Sequence, residues 1–207
     1  MTRLRWGADA PSDNDAARER LIDAAEACFV KYGVMKTTIE DVAGAANVSR
    51  ATVYRYFAGR DDLILGVLLR GGERFLALLG QQIEASDDLG DAIINGVVCT
   101  LAAVRRDQNL ALLFAPETAG LTTSIAGASD ALFDLTAEFL RPHFERGLAE
   151  GTFRPGLDLN DAAEWTLRSI LTLVTIEGPR KRTEAQLVGF LHTYLAPALI
   201  ARPRPVT

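Results

Sequence analysis

The sequence predicts an all-α fold, a small N-terminal helical unit followed by a larger helical one, and three observations carry that expectation. Apolar residues recur with the period of amphipathic helices from about residue 15 to residue 201. From residue 87 onward there is no period-two alternation of any length, so no strand is expected there. Residues 38–60, TIEDVAGAANVSRATVYRYFAGR, hold the caps and the turn of two short helices joined at an angle.

Residues 1–14, MTRLRWGADAPSDN, are polar and read as a flexible N-terminal arm. Arg3 and Arg5 within it suit a minor-groove contact, although a plain leader is the simpler account of them. The first helix covers about 15–32, with Leu21, Ala25, Cys28, Phe29 and Tyr32 on one apolar stripe, so a packed Cys28 thiol is expected.

The next two helices form a helix-turn-helix motif at 38–57. Thr38 stands at an N-cap position with Asp41 three residues on, and Ile39, Val42, Ala43 and Ala46 supply the buried stripe. Asn47 tolerates the left-handed conformation that ends a helix, Val48 plugs the angle, and Ser49 caps the helix that follows. That helix has two faces. Val53 and Phe57 point inward, while Arg50, Ala51, Tyr54 and Arg55 form an adjoining stripe.

Such a stripe suits the major groove of DNA. Arg50 and Arg55 can bond guanine edges bidentately, at about 1–3 kcal/mol of discrimination per good pair, and Ala51 offers a methyl contact to thymine. Thr52, Tyr54 and Tyr56 carry hydroxyls suited to phosphate oxygens, and the helix N-terminus adds free amides. Arg60 opens the next helix and is placed to hold the DNA backbone. Between Ala43 and Arg60 there are three arginines and no acid, in a chain whose net charge is −5. The bland alternative is a small helical bundle with a solvated arginine face; two caps, an Asn turn and an acid-free stripe together argue against it.

The fourth helix covers about 60–82, with Leu63, Ile64, Val67, Leu68, Phe75, Leu76 and Leu79 on its apolar face. Gly71-Gly72 falls inside it and implies either a bend or a close approach of another chain segment.

From these residues the chain resembles the TetR (tetracycline repressor) family of transcription regulators. The resemblance runs over 15–75, from RERLIDAAEACFVKYGVMKTT through VSRATVYRYF to GRDDLILGVLL. It departs from the family pattern at Asn47, usually Gly, and at Arg60, usually Lys, and both replacements keep the physical role. The resemblance implies DNA contacts from Thr38, Ser49, Arg50, Ala51, Thr52, Tyr54, Arg55, Tyr56 and Arg60. It further implies an all-helical homodimer, with a DNA-binding domain at 15–75 and a ligand-binding and dimerisation domain at 76–201. The partners implied are a palindromic double-stranded DNA operator, a small-molecule effector and a second copy of the chain.

The later helices are expected at 88–107, 109–115, within 119–128, and at 129–150, 160–177 and 184–201. Pro116 and Gly120 break one junction, Pro142 falls inside 129–150 and should kink it, and GTFRPGLDLND is a connector with Asp158 or Asn160 free to cap. The tail at 202–207 is too rich in proline to continue the last helix. In 160–177 and 184–201 the apolar residues Leu167, Ile170, Leu171, Val174, Leu187, Phe190, Leu191, Tyr194, Leu195 and Ala198 mark a helix pair that, as the resemblance implies, forms the dimer interface, against the alternative of a purely intramolecular core. Effector-pocket candidates are Phe75, Cys99, Leu112, Phe114, Phe133, Phe139, Trp165 and Arg168, and their apolar excess suits a lipophilic effector. Glu164 and Arg168 share a face and suit an ion pair with each other.

Composition narrows the function classes. The 207 residues are 48% hydrophobic and 24% charged, as in a soluble globular protein rather than a disordered one. Two cysteines make no disulfide framework and suit a reducing cytoplasm, and no apolar run approaches the ~20 residues of a membrane span. His143 and His192 lie in different helices with no neighbouring carboxylate-plus-nucleophile spacing, and there is no phosphate-binding glycine loop or metal-ligand spacing, so no enzyme activity, catalytic residue, metal or cofactor is expected. A helical dimeric carrier or interaction module that binds no specific DNA is the competing function.

Overall fold

The computed structural model describes residues 11, 13–83, 88–176 and 178–201. The arm with Arg3 and Arg5 and the tail at 202–207 lie outside the described residues, apart from residues 11, 13 and 14 of the arm. Among the described residues the protein is helical, with one isolated antiparallel bridge between Phe153 and Ile200. Two compact units are formed, one from residues up to 71 together with 107–126, the other from 72–106 and 127 onward.

The first unit begins with α1 (Asn14–Tyr32), opened by the Asp13 carboxylate, which accepts from the Ala16 amide. Leu21, Ala25, Cys28 and Phe29 are buried as the period predicts, but Tyr32 is exposed. Burial pushes the Cys28 thiol above its ordinary pKa, with Asp41 adding to the effect, so it stays protonated at neutral pH. Next come α2 (Ile39–Ala45) and α3 (Arg50–Tyr56), and then α4 (Arg60–Ile83). Val42, Val53, Phe57, Leu63, Ile64 and Val67 complete this core. Burial of such side chains, at roughly 25 cal/mol per Å² of apolar surface, holds the short helices, which are far below the length that is stable alone.

Helix α4 is helical throughout, and its paired glycines serve close approach. A Cβ on Gly71 would stand 2.9 Å from Leu110 Cδ2. Leu110 belongs to α6 (Gln108–Leu113), which packs on α1 within the first unit together with α7 (Ala119–Gly127). Gly120 is the second residue of α7, at the junction where the sequence places it.

Arg70, just before the glycines, is buried and meets three carboxylates of α1: Glu19 at 3.0 Å, Asp23 at 2.6 Å and Glu26 at 2.6 Å. Burial alone would lower the guanidinium pKa, and the hydrogen bonds it donates to the three carboxylates outweigh that and raise it. Its Nε has no hydrogen-bond partner among the described atoms. Nothing in the sequence pattern marked this cluster, because its acids lie some fifty residues away.

The second unit takes the rest of α4 with α5 (Leu89–Arg106), α8 (Asp130–Ala149), α9 (Leu159–Thr175), α10 (Glu184–Tyr194) and α11 (Ala196–Leu199). The helix expected at 184–201 is divided at Leu195, because Pro197 at the start of α11 cannot extend α10. Asp158 caps α9, accepting from the amides of Asn160 and Asp161. Gly151 and Gly156 in the connector have positive φ. Ile94, Val97, Phe144, Phe153, Ala163, Leu191 and Leu199 centre the core, with the Phe144 and Phe153 rings 4.9 Å apart.

Candidate nucleic-acid interface and effector cavity

The turn between α2 and α3 follows from its sequence. Asn47 has φ +55°, the left-handed conformation expected of it. Its amide bonds the Gly44 carbonyl and that of Val48 bonds the Ala43 carbonyl, the two bonds of a Schellman helix end. Thr38 and Asp41 form a capping box: the Asp41 amide donates to Thr38 Oγ1 at 3.2 Å, and the Thr38 amide donates to Asp41 Oδ2 at 2.9 Å. Ser49 Oγ accepts from the Thr52 amide at 3.1 Å and opens α3.

Two arginines of α1 brace the motif from behind. Arg18 donates to the Tyr56 carbonyl and lies 4.3 Å from the centre of the Phe57 ring, and Arg20 donates to the Ala46 carbonyl at 3.2 Å. Both satisfy carbonyls at helix ends, which otherwise lack partners. Neither was singled out from the sequence; both lie within one turn of Leu21, among the buried residues of α1.

On the outer face, Arg50, Ala51, Tyr54 and Arg55 are all exposed, and Tyr54 keeps 49% of its surface accessible. Tyr56 is half-buried. Thr52 departs from expectation. It is 6% exposed and its hydroxyl lies 2.9 Å from Ser49 Oγ, so it packs and caps inside the motif instead of offering a donor to phosphate. The helical period places it beside Val53, on the buried side. Thr38 is exposed, but its hydroxyl hydrogen is directed at Asp41 Oδ2, 2.6 Å away. Arg60 donates to the Met35 carbonyl at 3.0 Å, which fixes its side chain at the start of α4.

The acid-free stretch is not acid-free in space. Glu40 of α2 lies 2.6 Å from Arg50 Nη1, both side chains being more than half exposed. A charge count along the chain misses this contact because the turn, not the sequence, brings α2 against α3.

The second unit holds a cavity of about 50 Å³. Leu76 and Leu79 of α4, Ile93 and Val97 of α5, Phe139 and His143 of α8 and Thr166 and Ile170 of α9 are among its lining. Of the eight pocket candidates, Phe139 alone is in that lining. Phe75 and Cys99 pack beside it around Leu79 and Ala92, and Phe133 packs on the main core. Leu112 and Phe114 belong to the first unit. Trp165 is 50% exposed and Arg168 pairs with Glu164 at 2.6 Å on the surface. Periodicity identified these side chains as apolar or aligned, but not which neighbours they face.

The expected interface residues also divide. Leu171, Leu191 and Leu195 are buried within their own chain, and Ile170 lines the cavity, so these four pack inside the chain. Val174, Leu187, Phe190 and Ala198 are half-buried against the same core, and Leu167 is half-buried. Tyr194 is 67% exposed, and Ile176, just past α9, is 65% exposed. Between α9 and α10 a groove of about 260 Å³ is lined by Trp165, Arg168, Thr172, Phe190 and Tyr194.

Comparison with known proteins agrees with this geometry. Residues 21–67 match the family model of bacterial regulatory proteins of the tetR family. An uncharacterised HTH-type transcriptional regulator of Mycobacterium tuberculosis is 27% identical over 188 residues, 90% of this chain and 89% of its own length. Among solved structures, the transcriptional repressor QsdR of R. erythropolis, from the TetR family, superposes with a TM-score of 0.69 at 18% identity, over 94% of this chain and all of that one. RolR in complex with resorcinol gives 0.68 at 20% identity, over 93% of this chain and 97% of that one. At such identities the structural likeness speaks for the fold.

Proposed function

Because this chain belongs to the TetR family of bacterial regulatory proteins, whose model it matches at 21–67, we propose that it acts as a ligand-responsive DNA-binding repressor. One observation carries the reading: α3 exposes Arg50, Ala51, Tyr54 and Arg55 together while Thr52, Val53 and Phe57 anchor it from behind. A helix fixed on one side and polar, cationic and aromatic on the other is suited to the major groove. Ser49, Thr38 and Arg60 hold the backbone of the motif in place. The protein works as a homodimer in the cytoplasm, reads a palindromic operator and performs no catalysis. Its two recognition helices would meet half-sites about 34–36 Å apart. Support for the dimer comes from the exposed Trp165, Ile176 and Tyr194 on and beside α9 and α10.

The effector site is the cavity of the second unit, and α4 supplies the link. Leu63, Ile64 and Val67 of this helix are core residues of the first unit, and Leu76 and Leu79 of the same helix line the cavity. An effector that favours one position of Leu76 and Leu79 thereby favours one position of α4. DNA binding then shifts by the difference in effector affinity between the two states.

The test is selection of bound fragments from genomic DNA, followed by anisotropy titration of the selected site. Arg55→Ala and Tyr54→Ala are each expected to weaken binding about tenfold or more, whereas Thr52→Val should change it by less than about threefold. No fragment enriched above background at moderate salt would replace this reading with that of a helical carrier module.

A further inference from the structure

The turn that leads into α2 has a fixed backbone. Gly33 sits at φ +82°, and its carbonyl accepts from the Lys36 amide at 3.3 Å and from the Thr37 amide at 3.1 Å. The Thr37 hydroxyl donates to the same carbonyl at 2.9 Å, and Val34 and Thr37 are buried. Arg60, half-buried at the start of α4, closes the turn through its bond to the Met35 carbonyl. Residues 33–37 are thus held from within and from α4, with Met35 and Lys36 exposed.

The cations of residues 31–60 differ in what they already touch. Lys31 Nζ lies 4.8 Å from the centre of the Tyr32 ring, Arg50 pairs with Glu40, and Arg60 bonds the Met35 carbonyl. Lys36 and Arg55 alone among these have no ion pair, ring contact or side-chain hydrogen bond to a described residue. Arg55 belongs to the exposed face of α3, and Lys36 lies close to the same face. Glu40, four residues after Lys36, touches Arg50 at 2.6 Å. Four residues span at most about 14 Å, and the major groove is about 12 Å wide. With α3 in the groove, the Lys36 ammonium is therefore within reach of a phosphate at its border.

We propose that Lys36 contacts a DNA phosphate beside the groove that α3 reads, and that Arg60 is a positioning residue for this contact, not a second phosphate ligand. The proposal rests on the reading of α3 as the recognition helix. The sequence pattern placed the backbone-holding charge on Arg60, but its guanidinium is turned onto the turn that carries Lys36. An ammonium on a flexible stem suits a phosphate as a point charge. Because the backbone beneath it is already ordered, the contact costs less entropy than one made from a mobile loop.

The experiment is anisotropy titration of the full chain across a salt series, on the duplex selected from genomic DNA and on one of equal length and shuffled sequence. Wild type is compared with Lys36→Gln, Arg60→Gln and the double variant. Each phosphate contact contributes about 0.9 to the slope of log affinity against log salt, so Lys36→Gln should lower the slope by about 1.8 for a dimer on a full palindrome. It should weaken binding to both duplexes, because a phosphate contact carries no sequence information. The double variant is expected to keep the slope of Lys36→Gln, since both changes remove the same contact, with Arg60→Gln between it and wild type. The slope, unlike the affinity, does not move when a variant merely loses part of its folded population. An unchanged slope in Lys36→Gln would overturn the contact. A fall of about 3.6 in the double variant would make Arg60 a phosphate ligand in its own right and overturn its positioning role. Wild-type binding beside an unchanged Lys36→Gln slope removes this inference alone, while a wild type that selects no duplex removes the repressor reading and this inference with it.

Discussion

At the scale of single residues, the exposed face of α3 and the buried one differ by a rotation of about 100° per position, and Thr52 lies on the wrong side of that division for a phosphate donor. Its hydroxyl and that of Ser49 complete a cap, for which substitution by Ala ordinarily costs about 1 kcal/mol. Arg50 is the residue whose surroundings were least legible. Its ion pair with Glu40 is solvent-exposed on both sides, so it contributes roughly 0–1 kcal/mol to stability and competes with DNA phosphate for the same guanidinium. Glu40→Gln is expected to tighten operator binding a few-fold at low salt, with the gain fading as ionic strength rises. Anisotropy titrations across a salt series check this. Weaker binding by the variant would mean that Glu40 holds Arg50 in its reading position instead.

At the scale of helices, two devices govern how α2 and α4 behave. The α2 cap is pH-sensitive. Hydrogen bonds from the Thr38 side chain and then its backbone amide hold the Asp41 carboxyl below its ordinary pKa of 3.8. A depressed carboxylate pKa stabilises the folded state above the unfolded value, and that stabilisation is lost as pH falls through the folded one. Wild type should therefore exceed Asp41→Asn in urea midpoint above about pH 4, and the two should converge in more acidic buffer. A constant difference down to pH 2 would remove Asp41 from the cap's energetics.

Helix α4 is pinned at Arg70 by three carboxylates of α1, directly before the glycine pair. A Cβ on Gly71 crowds the flexible end of Leu110, and one on Gly72 approaches Leu135 at 3.3 Å, so each alanine shifts its own neighbour by tenths of an ångström. Gly71→Ala and Gly72→Ala are expected to alter the concentration of effector needed to release DNA by more than they alter DNA affinity. Identical dose–response curves for variants and wild type would exclude the glycines as part of the coupling.

At the scale of the molecule, the apolar groups left outside the core suit the contact proposed above with a second copy. Tyr194 and Ile176 are largely exposed, and no helix among the described residues is long and apolar enough to cross a membrane. Tyr194→Glu combined with Ile176→Glu is expected to halve the mass measured by light scattering and to weaken binding to a full palindrome more than to a half-site. A wild-type mass equal to one chain would exclude the dimer in solution.

The sequence by itself determined most of the elements and many of their ends, though not the break at Leu195. Caps at Thr38, Ser49 and Asp158, the left-handed Asn47 and the stripes of α1 to α4 depend on residues within a turn of one another, and such local physics is written in order along the chain. Tertiary structure alone decided which apolar residues face each other. Leu171 and Leu191 became core, Phe139 but not Phe75 reached the cavity wall, and Glu40 met Arg50. Arg70 likewise found carboxylates some fifty residues away. Periodicity records that a residue is buried on one side, but not what lies against it. That partner is set by helix packing between distant segments, and the cavity exists only after that packing.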